Sequence, residues 1–198
     1  MSRLAVVGGI GSGKTAATDY LATRGATVVD ADVVAREIVL PGAPAWQQLR
    51  DAFGDAILME DGNLDRAFVA DVVFHDRSAL RRLNAITHTQ IGLEIIRRID
   101  EAPTSLVVVA LPLYRPEHRE LFSLDEVWCI VVDPETAVRR LTQHRGMRED
   151  DARARLANQM TNVERTALCT EVISNEGSLD DLQGALDGLL KRKGLLDG

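Results

Sequence analysis

Along this chain, short runs of β-branched and apolar residues alternate with longer segments whose apolar positions recur every three or four residues. The short runs Arg3–Val7, Thr27–Asp30, Leu106–Leu111, Val127–Val132 and Glu171–Ile173 read as strands. Near-continuous apolar strands joined by helical connections belong to parallel sheets covered on both faces, so the pattern predicts an α/β fold with a five-stranded parallel sheet. The spacing is uneven. Residues 31–105 separate the second strand from the third, several times the roughly dozen residues a crossover requires. That interval reads as helices over Val33–Leu40, stopped by Pro41-Gly42, then Ala45–Phe53, Arg66–Phe74, Ala79–Ile86 and Gln90–Ile99. An all-helical insertion of this size is expected to build a substrate pocket. A further long helix is predicted over Glu149–Ala167, with Ala152, Leu156, Met160 or Gln159, Val163 and Ala167 forming one buried stripe. No apolar stripe marks a subunit interface, so the pattern assigns no oligomeric state.

The first strand runs directly into Gly8-Gly9-Ile10-Gly11-Ser12-Gly13-Lys14-Thr15, and helix-prone Ala16–Leu21 follow. Strand, glycine loop, Lys-Thr and helix in that order make a P-loop, the phosphate cradle of nucleoside triphosphate enzymes. Glycines allow a tight turn with inward N–H groups, and these join the positive end of the following helix in holding an anion. Gly9 to Ala16 are thus the candidate ATP contacts, with Lys14 reaching the β- and γ-phosphates and the Thr15 hydroxyl on Mg²⁺.

Two further groups of polar residues bear on chemistry. Asp30 and Asp32 stand where the second strand ends, and side chains two apart on a strand share a face. Ligands of open α/β sheets collect at the carboxyl ends of strands. One carboxylate is placed to take the proton of an attacking hydroxyl or to hold a magnesium water; the alternative for Asp32 is an N-cap of the helix it opens. Asp133 before Pro134 reads as a plain cap. The second group is basic: Arg139-Arg140 and His144-Arg145-Gly146-Met147-Arg148 surround a glycine. Arginines there either close over phosphates and stabilise charge in transfer or remain solvated helix charges.

Composition narrows the setting. A net charge of −7 in 198 residues argues against a general nucleic-acid binder, which carries a broad basic face. Cys129 and Cys169 fit neither a metal-ligand spacing nor a disulfide framework, and reduced thiols are expected. The longest apolar stretch, Leu106–Tyr114, is interrupted by Pro112 and falls far short of the roughly 20 residues of a membrane helix. With no cleavable signal apparent, a cytoplasmic protein without a membrane partner is expected.

From Gly8 to about Leu182 the chain resembles the dephospho-coenzyme A kinases. The resemblance rests on G-G-I-G-S-G-K-T; on V-V-D-A-D-V-V-A-R-E-I-V at Val28–Val39, with P-G-A-P-A from Pro41; on F-G at Phe53-Gly54; and on D-G-N-L-D-R at Asp61–Arg66. It continues through I-T-H at Ile86–His88, P-E-T and R-L at Arg140-Leu141, Gln159, and V-I-S-N-E-G-S-L at Val172–Leu179. The strand end D-A-D joined to the A-R-x-x-V-x-P-G helix is far more specific to this family than the P-loop.

The resemblance implies an ATP-dependent kinase that phosphorylates the ribose 3′-hydroxyl of dephospho-coenzyme A, the last step of coenzyme A synthesis. It implies one P-loop kinase domain with a core at about 1–32, 104–138 and 168–198, a helical acceptor-binding region at about 33–103, and a lid at about 139–167. By position, Asp32 would be the general base, Lys14 and Thr15 the phosphate and magnesium contacts, Arg140 a catalytic lid arginine and Arg145 a second one. Asn175 to Gly177 would lie near the adenine, and Asp30, Arg66 and His88 around the acceptor. The chain departs from the family pattern at Val7, where a threonine is usual, at Thr89, where proline usually follows I-T-H, and at Glu117, a displaced acid to which no role is given. The family's lid arginine aligns with His144 or, after a one-residue slip, with Arg145. The alternatives are a P-loop switch or hydrolase, although no N-K-x-D motif is present, and a nucleotide-binding relative without catalysis.

Overall fold

The apolar runs become five strands in a computed structural model that describes residues 1–195: β1 (Ser2–Gly8), β2 (Thr27–Asp30), β3 (Leu106–Leu111), β4 (Glu126–Val131) and β5 (Glu171–Ser174). They form one sheet in the order β2-β3-β1-β4-β5, parallel at every pairing. Their composition explains the order. β3 is buried at all six positions and the last five residues of β1 are buried, as strands flanked on both sides and covered on both faces must be. Val7 is in register with both Leu111 and Cys129, so the carboxyl ends of the three central strands line up. From β1 the chain passes to β2 and β3 on one side and later to β4 and β5 on the other. The end of β1 is therefore a topological switch point, where a crevice opens above a parallel sheet.

The chain divides into two compact units. One joins Met1–Asp30 to the chain from Ala102 onward and contains the sheet; the other is Ala31–Glu101 and is helical. In the sheet unit, α1 (Lys14–Thr23) packs on the strands, and Leu21 buries against a core that includes Leu4, Val6, Trp128 and Ile130. In the helical unit, α2 (Ala31–Glu37), α3 (Pro44–Phe53) and α4 (Arg66–His75) all pack on α5 (Arg77–Asp100), and Trp46 Nε1 donates to the Gly62 carbonyl at 2.8 Å to fasten the intervening loop. The sheet unit continues with α6 (Glu117–Leu121), α7 (Pro134–Arg145), α8 (Glu149–Ala157), α9 (Asn162–Thr166) and α10 (Leu179–Lys193). Leu182, Leu186, Leu189 and Leu190 of α10 complete the core beneath α1, and Val138 and Leu141 of α7 meet Ala152 of α8 in a smaller cluster.

Three expectations change. The helix over Glu149–Ala167 is two helices. Thr161 caps α9 by accepting from the Glu164 N–H while the Glu164 carboxylate accepts from the Thr161 N–H, a reciprocal box that starts a new helix. The expected buried stripe stops with the first helix: Ala152 is buried, but Val163 is 80% exposed and Ala167 is exposed. The separate helices Ala79–Ile86 and Gln90–Ile99 are one continuous α5. Thr89 keeps the N–H that proline would lack, and the Thr87 hydroxyl donates to the Leu83 carbonyl at 2.8 Å within the same helix. Finally, α2 begins at Ala31 and ends at Glu37, so Asp32 is neither a strand residue nor a cap but lies inside the first helical turn.

Candidate active site

β1 delivers the glycine loop to the switch point, and α1 begins at Lys14, directing its first N–H groups into the loop. Gly13 sits at φ +93, in the left-handed region. A Cβ there would fall 2.1 Å from Asn175 Nδ2, so side-chain-free backbone is required on two grounds. Asn175, 7% exposed, fills that space and donates to the Ser12 carbonyl at 2.7 Å. Its own N–H is held by the Val131 carbonyl at 2.8 Å, and its carbonyl accepts from Arg140 Nη2 at 2.8 Å. Asn175 and the half-buried Arg140 thus brace the loop from behind. The Ser12 hydroxyl is buried inside the loop with no hydrogen-bond partner among the described residues.

The other expected nucleotide residues are more dispersed. Gly177 is needed by α10: a Cβ there would lie 2.4 Å from Asp181 Oδ2, the carboxylate that forms a capping box with Ser178. Asp133 caps α7 as expected, accepting from the Glu135 N–H at 2.9 Å. Arg145 is exposed in the last turn of α7, next to Gly146, which terminates the helix. Thr15 is exposed and Lys14 half-buried at the start of α1.

The sequence reading missed one group. The Ile10 N–H donates to Gln159 Oε1 at 2.9 Å, and a Cβ on Gly9 would meet both Arg165 Nη atoms at 3.3 Å and Gln159 Oε1 at 3.4 Å. The sequence pattern offers Gln159 as a motif residue and as an alternative to Met160 on a buried stripe, whereas Gln159 is exposed, and it gives Arg165 no role. The only local signal was its place one residue after the Glu of the T-x-x-E capping box. Both side chains line two open cavities beside the loop, of about 260 and 440 Å³. Cys129 and Cys169 are free thiols; Cys169 Sγ donates to the Arg165 carbonyl at 3.2 Å, and the interaction between the two thiols lowers the Cys169 pKa and raises that of Cys129. Burial adds to the rise at Cys129, and the Arg165 charge adds to the fall at Cys169.

Asp30 closes β2 opposite Ala110, and Asp32 is exposed in the first turn of α2, where a carboxylate suits the positive helix end. The strand alternation expected to align the two does not apply, because the strand stops at Asp30. In the helical unit, Arg66 at the start of α4 and His88 on α5 line one cavity of about 430 Å³, together with Val39, Leu64, Leu83 and Thr87. Glu117 is exposed at the start of α6.

A strand-loop-helix cradle at the switch point of a five-stranded parallel sheet, in a chain with a long helical insertion, defines a P-loop kinase, an ATP-dependent phosphotransferase. The profile of the family described as Dephospho-CoA kinase matches residues 3–181. A dephospho-CoA kinase of Corynebacterium glutamicum is 42% identical over 193 residues, covering 96% of each chain. The chain belongs to the dephospho-CoA kinase family, whose members act in coenzyme A biosynthesis. A crystal structure of a Thermus thermophilus protein superposes with a TM-score of 0.78 at 27% identity, covering 100% of this chain and 98% of the other. A dephospho-CoA kinase structure from Campylobacter jejuni, at 22% identity and a TM-score of 0.66, covers 100% of this chain and 98% of its own and shares the fold.

Proposed function

We propose that this kinase phosphorylates the ribose 3′-hydroxyl of dephospho-coenzyme A, with Asp32 as general base and Lys14, Thr15 and Arg140 serving the triphosphate. The observation that carries the reading is the cradle itself, whose glycine path and helix start are shaped for an anion and whose buried Ser12 hydroxyl lacks a partner among the described residues. ATP supplies the transferable phosphoryl group. Asp32 takes the proton of the attacking hydroxyl as its oxygen bonds to the γ-phosphorus, while the bond from that phosphorus to the β–γ bridging oxygen breaks and ADP leaves. Lys14 and the N–H groups from Gly9 to Ala16 hold the phosphates, and Arg140 supports the loop through Asn175 and contributes positive charge nearby. Among the described residues no group of three or more His, Cys, Asp or Glu side chains is placed to hold a metal. Mg²⁺ would therefore be held mainly by phosphate oxygens and water, with the Thr15 hydroxyl as its protein contact.

Arg66 and His88 fit the acceptor. A mostly apolar cavity with one cation and one imidazole at its wall suits a long, partly apolar substrate that carries a diphosphate within its length. Among the described residues no helix is long and apolar enough to cross a membrane, and a metabolic kinase that draws on cellular ATP fits the cytoplasm. The test supplies ATP, Mg²⁺ and dephospho-coenzyme A and follows ADP and coenzyme A, which are expected one to one. Phosphate release that ignores the acceptor would make the protein a hydrolase, and absence of both products a silent relative.

A further inference from the structure

We propose that Arg165 is a phosphate-binding cation of this kinase, placed over Gly9 to engage the terminal phosphate of ATP, and that Gln159 occupies the Ile10 N–H until nucleotide arrives. The inference rests on the use of ATP and is independent of the acceptor's identity. Position comes first. The guanidinium stands 3.3 Å from the point a Gly9 Cβ would occupy, so it lies directly against the loop. It is held there from behind: Nη1 donates to Asn162 Oδ1 at 3.0 Å, Nη2 to the Met160 carbonyl at 2.6 Å, and Asn162 Nδ2 in turn to the Val132 carbonyl at 2.8 Å, just past the end of β4. The Thr161–Glu164 box fixes the helix that carries it.

Two of the five guanidinium N–H groups are used in this support, which leaves three for a ligand. A cation held in place by its own partners loses little entropy on binding and need not reorganise. Arg140 supports the loop from behind, with one donor on the Asn175 carbonyl, and Arg145 is exposed at the end of α7, whereas Arg165 is the arginine set directly against Gly9.

Gln159 gives the second, independent observation. Its amide oxygen accepts from a loop N–H at 2.9 Å, where a phosphate oxygen would be the stronger acceptor. The start of α1 and Lys14 attend to the inner phosphates and the β–γ junction. Gly9 and Ile10, at the opposite end of the loop, are left for the outermost group, where charge spreads during transfer.

The test compares binding of a non-hydrolysable ATP analogue and of ADP by calorimetry in the presence of Mg²⁺. In Arg165→Gln, which keeps donors but loses the charge, affinity for the analogue is expected to fall by about tenfold or more while that for ADP changes by less than about twofold. In Arg165→Lys, which keeps charge without the fork, the loss should be smaller than in Arg165→Gln. A merely structural arginine would weaken both nucleotides together. Equal losses for analogue and ADP, or no loss for either in both variants, would overturn the proposal. Should Arg165→Gln melt below the wild type, the analogue-to-ADP ratio in Arg165→Lys decides in the same way. Because neither measurement contains dephospho-coenzyme A, failure here leaves the acceptor assignment untouched, and failure of the acceptor assay leaves this one standing.

Discussion

The loop between β1 and α1 and the cavity between α4 and α5 handle their expected ligands by opposite means. The loop recognises with backbone. Its shape is imposed by glycines pressed to within a few ångströms of Asn175, Ala137 and Arg165, and its donors are main-chain N–H groups. The cavity offers side chains, Arg66 and His88, contributed by two helices and set in an apolar wall. Backbone recognition is intolerant of added atoms. Side-chain recognition tolerates them and loses affinity in steps. The two regions should therefore fail differently under mutation.

The largest effect is expected at Gly13. Alanine there would force φ +93 on a residue with a Cβ and drive that Cβ onto Asn175 Nδ2, costing about 1–3 kcal/mol of backbone strain plus the Asn175–Ser12 bond. Gly13→Ala should weaken ATP binding by more than about a hundredfold. Calorimetry showing a loss below about tenfold would mean that the loop is more pliant than its contacts imply. Next comes Asp32→Asn, expected to lower kcat by at least about a hundredfold, the scale of positioned proton transfer, with ATP affinity retained. An unchanged kcat removes Asp32 from the base role. In the helical unit the effects are smaller. Arg66→Met should raise the KM for dephospho-coenzyme A by about tenfold, as loss of one charged contact does, and leave kcat and the KM for ATP nearly unchanged. A fall in kcat with constant KM would place Arg66 outside acceptor binding.

The same contrast decides what was legible beforehand. The strands and the P-loop could be read because each is a contiguous stretch with its own local rule, alternation or glycine spacing. The brace behind the loop could not: Asn175 and Ser12 are 163 residues apart, and no local pattern announces their bond. Arg165 was hidden for a related reason. An assumed single helix placed Val163 on a buried stripe, although the capping box beginning at Thr161 was present to break that helix. In α5 the error ran the other way, since Thr89 permits the continuity that periodicity had divided. The end of β2 at Asp30 is as expected, but Asp32 lies two residues beyond it, inside α2, where strand alternation no longer sets its direction.

The smallest effect sharpens the comparison by leaving both ligands alone. Glu94 accepts from Arg97 Nε at 2.8 Å and from Arg98 Nε at 2.7 Å, and Arg98 Nη2 also donates to Glu37, linking α5 to α2. The hydrogen bonds from Arg97, joined by those from Arg98 and by both charges, outweigh burial and hold the Glu94 carboxyl at about 2. A depressed carboxylate pKa stabilises the fold above the unfolded value, near 4.3, and that contribution disappears as pH falls through the folded value. Because Arg97 is half exposed, solvent screening keeps the contribution to about 1 kcal/mol or less. Glu94→Gln should thus lower stability by that amount at pH 7, and the gap from wild type should close between pH of about 4.3 and 2. Urea unfolding across that range checks it, with ATP affinity at pH 7 unchanged. A gap that persists to pH 2 would mean that Glu94 acts through packing and not through its charge.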